Sequence, residues 1–353
     1  MKIAIPRAYL GTMTFAWSSQ TSSVVDEPIA LEMVKRFIKF NDDLGLDKYP
    51  IDTARVYAGG NTEPMVGAVL KKIDETSGTI LVGTKAHPSV KPGLSKEGIL
   101  SQLSTSLDAM QMTSCGEYYL HQPDTEHSLL ESLKCAHSLV LEGKISSIGM
   151  SNYHASEVAR AFELCKEHQL TPPTVYQGLY NPLNRLVEAE LLPVLKENGC
   201  SFIAYNPLAA GLLSGKHKTV DDVASGRFKN NENYLPRFYT PANFNAMELV
   251  RKQCERDGIS MVEATYRWLL RHSRLDANDG LLLGASSLDQ LDQNLDAVKA
   301  ASEEEGLSSS MLEAFDQAWE LTNDGAFPYW RSYSLDMPNR EALDPGASYN
   351  AAK

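Results

Sequence analysis

Eight short apolar runs, each followed by a segment of helical periodicity, constrain this chain more than any other feature. The runs occupy residues 8–13, 49–53, 79–85, 117–121, 147–152, 174–177, 201–206 and 280–284. They are nearly continuous in apolar character, as strands covered on both faces are. Between them apolar residues recur at helical spacing, as in Leu31, Val34 and Ile38, in Leu100, Leu103, Leu107 and Met110, and in Leu129, Leu133, Ala136 and Val140. Gly45 and Gly143 read as helix stops. The pattern predicts a single (β/α)8 barrel over residues 1–343. It adds a long loop after the seventh strand, a last helix at about 309–321 and a flexible polar tail over 344–353. A two-domain α/β sheet would show the same alternation. Against it stand the lack of a linker-like composition shift and of a Gly-x-Gly-x-x-Gly after any strand.

A net charge of −12 argues against nucleic acid or an anionic membrane surface as the main partner. A bound phosphate would therefore need locally placed cations and backbone N–H groups. The five cysteines include no Cys-x-x-Cys pair, so reduced thiols are expected, with no disulfide framework and no metal site. No apolar segment is long enough to span a bilayer and no cleavage signature opens the chain, which reads as cytoplasmic. Oligomeric state, a homodimer included, stays open.

The C-terminal ends of the predicted strands carry Thr12, Asp52, Lys85, His121, Ser151-Asn152, Gln177, Asn206 and Ser286-Ser287. In a parallel barrel these ends meet at one mouth, where barrel chemistry sits. Singly, each has an ordinary explanation as a capping or solvated residue. Their recurrence at the same end of successive strands points to a site.

Asp52, Tyr57, Lys85 and His121 form a coherent set. A tyrosine donates a proton poorly near neutrality, its reference pKa being about 10. A lysine ammonium about 4 Å away contributes roughly 4 kcal/mol at an effective dielectric of about 20, equivalent to about three pKa units. Asp52 would keep that lysine charged, and a neutral His121 would orient a carbonyl oxygen. Such a set suits carbonyl reduction, in which hydride must come from a cofactor. Ser151, Asn152 and Gln177 offer groups for a carboxamide, and Tyr205 a face for a flat ring. Residues 206–216 are rich in small side chains and end in Lys216, which suits a pyrophosphate.

These motifs resemble the aldo-keto reductase superfamily over nearly the whole chain. The carriers are Asp52-Thr53-Ala54-x-x-Tyr57, Thr84-Lys85, Leu120-His121-x-Pro123-Asp124, Gly149-x-Ser151-Asn152-Tyr153, Tyr176-Gln177, Asn206-Pro207-Leu208 and the run from Gly284 to Asn294. Gly226-Arg227-Phe228 and Ser286-Ser287-Leu288-x-Gln290-Leu291 resemble its aflatoxin-aldehyde-reductase-like branch. The resemblance implies a barrel that binds NADPH without a Rossmann fold and reduces a small carbonyl substrate. It implies Tyr57 as proton donor, Lys85 as the group that lowers its pKa, Asp52 as partner of Lys85 and His121 as the carbonyl-orienting residue. Asp52, Ser151, Asn152, Gln177 and Tyr205 would hold the nicotinamide end. Asn206, Pro207, Leu208, Ala210, Gly211, Leu213, Gly215, Lys216 and Arg227 would surround the pyrophosphate. Gly284, Ser286, Gln290, Gln293 and Asn294 would take the adenosine end. Tyr234, Arg237 and Arg331 would contact an anionic substrate. Many relatives carry Arg where Gln290 stands, which weakens the charge argument for NADPH over NADH; the branch shares the Gln.

Two rival readings use the same residues. An NADPH-binding regulatory subunit would keep the cofactor motifs without turnover. A Schiff-base lyase would use Lys85 as its nucleophile. Residues 211–243 are too long for an ordinary loop and are expected to fold over bound cofactor as a lid.

Overall fold

The computed structural model describes residues 5–17, 23–74, 76–219, 228, 234–303 and 305–347. Helix starts follow local chemistry. Asp26, Ser95, Ser128, Thr240, Ser260 and Ser308 each accept a hydrogen bond from the backbone N–H three residues on. Each such cap contributes about 1 kcal/mol. The helices they open are α1 Glu27–Asp43, α3 Lys96–Met110, α4 Leu129–Leu141, α8 Pro241–Asp257, α9 Met261–Arg271 and α11 Ser309–Thr322. The remaining helices are α2 Thr62–Leu70, α5 Ala155–Glu167, α6 Leu191–Glu197, the single turn α7 Leu235–Phe238 and α10 Leu288–Glu303.

The strands are β1 Arg7–Gly11, β2 Lys48–Asp52, β3 Thr79–Ala86, β4 Cys115–Leu120, β5 Ile145–Ser151, β6 Val175–Leu179, β7 Ser201–Tyr205 and β8 Gly280–Gly284. All pair in parallel, in chain order, and β8 closes back on β1 with Gly284 level with Gly11. This is the (β/α)8 barrel that the alternation predicts. Outward-facing strand residues join the helices in the main core. Tyr9, Tyr119, Val175, Ile203 and Leu282 come from five different strands yet touch one another, which places them in the lumen.

Local details differ from the sequence pattern. Leu100 is exposed while Ile99 is fully buried, so the buried stripe of α3 runs through Ile99, Leu103, Leu107 and Met110. The stretch 186–197 is not one helix. A 3-10 turn, Leu186–Glu188, is separated from α6 by Glu190, whose φ of −125° is non-helical. Within 211–243, a 3-10 turn at Ala209–Ser214 and α7 are ordered elements, and α8 begins at Pro241.

The chain end wraps back onto the barrel. Asp336 accepts from the Ser128 hydroxyl, the Leu129 N–H and Arg160, at the start of α4 and on α5. Ser332 N–H donates to Pro345 O and Ala347 N–H to Trp330 O, at 2.6 and 3.0 Å. Residues after Ala347 lie outside the described residues.

All five cysteines are buried and free. Burial pushes the thiols of Cys135 and Cys165 up to about 11 and those of Cys115 and Cys254 to about 12; it moves Cys200 upward as well. Among the described residues, no helix is long and apolar enough to cross a membrane, and no group of three His, Cys, Asp or Glu side chains is placed to hold a metal ion.

Candidate active site

Asp52 ends β2 almost fully buried, and its carbonyl accepts from both the N–H and the hydroxyl of Thr12. Two buried residues further on, the chain turns. Tyr57 N–H donates to Ala54 O, and Ala58, Gly59 and Gly60 all take left-handed conformations. Only small residues sustain such a run cheaply. Arg55 lies beneath it, 3.6 Å from the buried carboxylate of Glu63, which accepts from Thr84 Oγ1 at 2.6 Å. A Cβ on Gly60 would sit 2.8 Å from the Arg55 guanidinium. The loop that carries Tyr57 is thus pinned to α2 and β3.

Lys85 on β3 has no solvent exposure. Its ammonium donates to Asp52 Oδ1 at 2.5 Å and to Thr53 O at 2.8 Å, and lies 3.4 Å from the Tyr57 hydroxyl. Gln177 Nε2 donates to the same Asp52 oxygen at 2.9 Å. Burial lowers the Lys85 pKa and Asp52 opposes the shift. His121 follows β4 directly, with its ring edge-on to that of Tyr57 at 6.0 Å between centroids. Burial holds its pKa well below the usual range, with His87, Lys85 and Arg331 acting in the same direction. Its Nδ1 is buried with no hydrogen-bond partner.

These groups meet at a cavity of about 390 Å³. Asp52, Tyr57, His121, Ser151, Asn152, Gln177 and Tyr205 line one part of it; Asn206, Pro207, Leu208, Ala210, Gly211 and Lys216 line another. Gly284, Ser286, Gln290, Gln293, Asn294, Tyr234, Arg237 and Arg331 complete the set. Lys85 lies just beneath the wall. Leu213 is buried in the core, and neither it nor Gly215 lines the cavity. Arg227 lies outside the described residues. Met13 and Trp17 also reach the cavity. Sequence reasoning missed Gly11, Thr14, Val56, His217, Val262 and Tyr266. Thr14 and His217 sit beside residues already singled out; Val262 and Tyr266 carry no local signal, because α9 is brought to the mouth only by the fold.

The lining suits an extended dinucleotide. Tyr205 donates to Asn152 Oδ1 at 2.9 Å, and Asn152 donates to His121 O and Ser151 Oγ, so this end of the cavity is held by a connected network. Left-handed Ala210 and Gly211 shape the wall between Asn206 and Lys216. A Cβ on Gly284 would meet nothing within 4 Å, so that wall is open space. At the far end Gln290 Oε1 accepts from the N–H and hydroxyl of Ser286.

His87 lies behind His121, with 5.0 Å between ring centroids, and its Nδ1 accepts from Ser89 N–H. Burial and then Arg331 push its pKa down to about 4. The folded pKa is below the unfolded value of about 6.5, so the unfolded chain takes the proton first. Stability contributed by neutral His87 is full above about pH 6.5 and is lost as pH falls to about 4, by about 3 kcal/mol. Urea midpoints between pH 7 and pH 4 should fall less steeply in His87→Gln than in the unaltered chain.

A model of the aldo/keto reductase family matches residues 8–320. Aflatoxin B1 aldehyde reductase member 2 of Mus musculus is 41% identical over 293 residues, which cover 80% of this chain and 79% of that protein. Aldo-keto reductase family 7 member A3 of Homo sapiens is 40% identical over 293 residues, covering 80% and 87%. The barrel, its mouth and these likenesses agree: the chain belongs to the aldo/keto reductase family and is an oxidoreductase that reduces carbonyl compounds with a nicotinamide cofactor.

Proposed function

We propose that the protein is an NADPH-dependent reductase of aldehydes and ketones in which Tyr57 is the proton donor. One observation carries the assignment: a phenol at the cavity wall lies 3.4 Å from a buried ammonium that is itself clamped by Asp52. A cation at that distance favours the phenolate left after proton transfer. Neutral His121 donates from Nε2 to the carbonyl oxygen and fixes its position beside the Tyr57 hydroxyl. Bound NADPH supplies the hydride, because no side chain can. Ser151, Asn152 and Gln177 hold its carboxamide and Tyr205 stacks on its ring. Asn206, Pro207, Leu208, Ala210, Gly211 and Lys216 would surround the pyrophosphate. Ser286, Gln290, Gln293 and Asn294 hold the adenosine end.

Burial argues against Schiff-base chemistry. Lys85 is ion-paired, fully enclosed and off the cavity surface, so it is no nucleophile for a carbonyl carbon. The names of the relatives, aldehyde reductases among them, support aldehydes as substrates. Tyr234, Arg237 and Arg331 at the wall favour those that carry an acidic group. The buried thiols suit a reducing, cytoplasmic setting.

The test is NADPH consumption against short acidic, aromatic and dicarbonyl aldehydes, repeated with NADH. We expect turnover, highest kcat/KM on acidic aldehydes and a clear preference for NADPH. No turnover on any of them would favour a regulatory role. An NADPH-to-NADH ratio of kcat/KM near or below one would overturn the cofactor assignment.

A further inference from the structure

Beneath Lys85 the barrel lumen holds a second carboxylate that the proton-transfer set does not use. Glu117 on β4 accepts from the Tyr9 hydroxyl at 2.9 Å and from the Tyr119 hydroxyl. Tyr119 stands level with Lys85 across the β3–β4 pair, and the Lys85 ammonium lies 5.4 Å from the centre of its ring.

Three strands give up side chains to make room for this group. A Cβ on Gly83, two residues before Lys85, would lie 3.3 Å from Glu117 Cβ and 3.5 Å from its Oε2. A Cβ on Gly149 would strike the Tyr119 ring, and one on Gly280 would come within 2.8 Å of the Tyr9 ring. A barrel core is ordinarily filled by apolar side chains, and a carboxylate among them costs desolvation. Burial accordingly raises the Glu117 pKa, while the two phenol donors oppose that shift.

The arrangement has a consequence for Lys85. Its ammonium shares one oxygen of Asp52 with Gln177, and its burial outweighs that pairing. A phenol that donates to a carboxylate carries a more electron-rich ring, which attracts a cation over its face more strongly. The charged and titratable groups facing Lys85 are Asp52, Tyr57, Glu63, Glu117, Tyr119 and His121; those facing Glu117 are Arg7, Tyr9, Tyr119, Lys85, Cys115 and Asp52. We propose that Glu117, acting through Tyr119, is a positioning residue that keeps Lys85 cationic beneath Tyr57. The inference rests on the reading of Tyr57 as proton donor.

Removing a negative charge from this neighbourhood makes the ammonium give up its proton more readily, and a neutral Lys85 no longer favours the Tyr57 phenolate. The test is Glu117→Gln, which still accepts from both tyrosines but is uncharged. The alkaline limb of its kcat–pH profile should move down by about one pH unit. Turnover should match the unaltered enzyme on the acid plateau and be about tenfold lower on the limb, with NADPH affinity unchanged. Tyr119→Phe should move the limb in the same direction and carries the test if Glu117→Gln does not fold. A second readout needs no turnover: the tyrosinate absorbance that Tyr57→Phe abolishes should appear at higher pH when Glu117→Gln is present. Superimposable profiles, or a fall in kcat equal at every pH, would overturn the role of Glu117 and leave Tyr57 as donor. Absence of NADPH-dependent reduction by the unaltered enzyme would overturn both.

Discussion

Replacing Tyr57 with phenylalanine is expected to lower kcat by about a hundred- to ten-thousand-fold, the range a positioned general acid contributes. The ring stays, and with it the contact of the Lys85 ammonium, 5.1 Å from the ring centre. Asp52 keeps both its partners, Lys85 and Gln177. NADPH affinity, followed by fluorescence titration, should change by no more than about twofold, and thermal stability should barely move. Turnover within tenfold of the unaltered enzyme would remove Tyr57 from the mechanism. A large loss of NADPH binding would reassign it to the cofactor site.

Lys85→Met is expected to fail in two ways at once. It removes the cation that favours the Tyr57 phenolate, so kcat should fall at least as far as in the tyrosine variant. It also strands Asp52, a buried carboxylate left with Gln177 as its remaining side-chain donor. Breaking a buried pair on one side costs about 3–5 kcal/mol. Urea unfolding should therefore show a midpoint well below that of Tyr57→Phe, with the same slope. A variant as stable as the unaltered chain would show that the Lys85–Asp52 pair contributes nothing to stability.

That Asp52, Tyr57, Lys85 and His121 come together was legible because each stands at or just beyond a strand end, and parallel closure gathers those ends without help from distant sequence. The register bears this out: Ser151 lies level with Gln177, and Leu179 with Tyr205. The unit of Tyr9, Glu117 and Tyr119 was not legible, because it joins strands more than a hundred residues apart and depends on which side chains point inward. Tyr9 and Glu117 look alike from the sequence whether they face lumen or solvent. The start of α8 was a different kind of miss. Thr240 followed by Pro241 is a cap and first-turn pattern, which the structure uses as such. On α3, Leu100 and Ile99 are adjacent apolar residues, and only packing against the barrel decides that Ile99 is the buried one.

The enclosure of all five thiols bears on how long such a protein survives its own work. Aldehydes and dicarbonyls are electrophiles that add to thiolates, and a protein that gathers them at its mouth meets them at raised local concentration. Here every thiol is shielded by core atoms and stays protonated well above neutral pH. The ammonium nearest the carbonyl site is likewise enclosed and paired. The fold therefore leaves its substrates no cysteine to alkylate, and adducts would have to form on nitrogen, with Lys216, Arg237 and Arg331 at the mouth the groups nearest to hand.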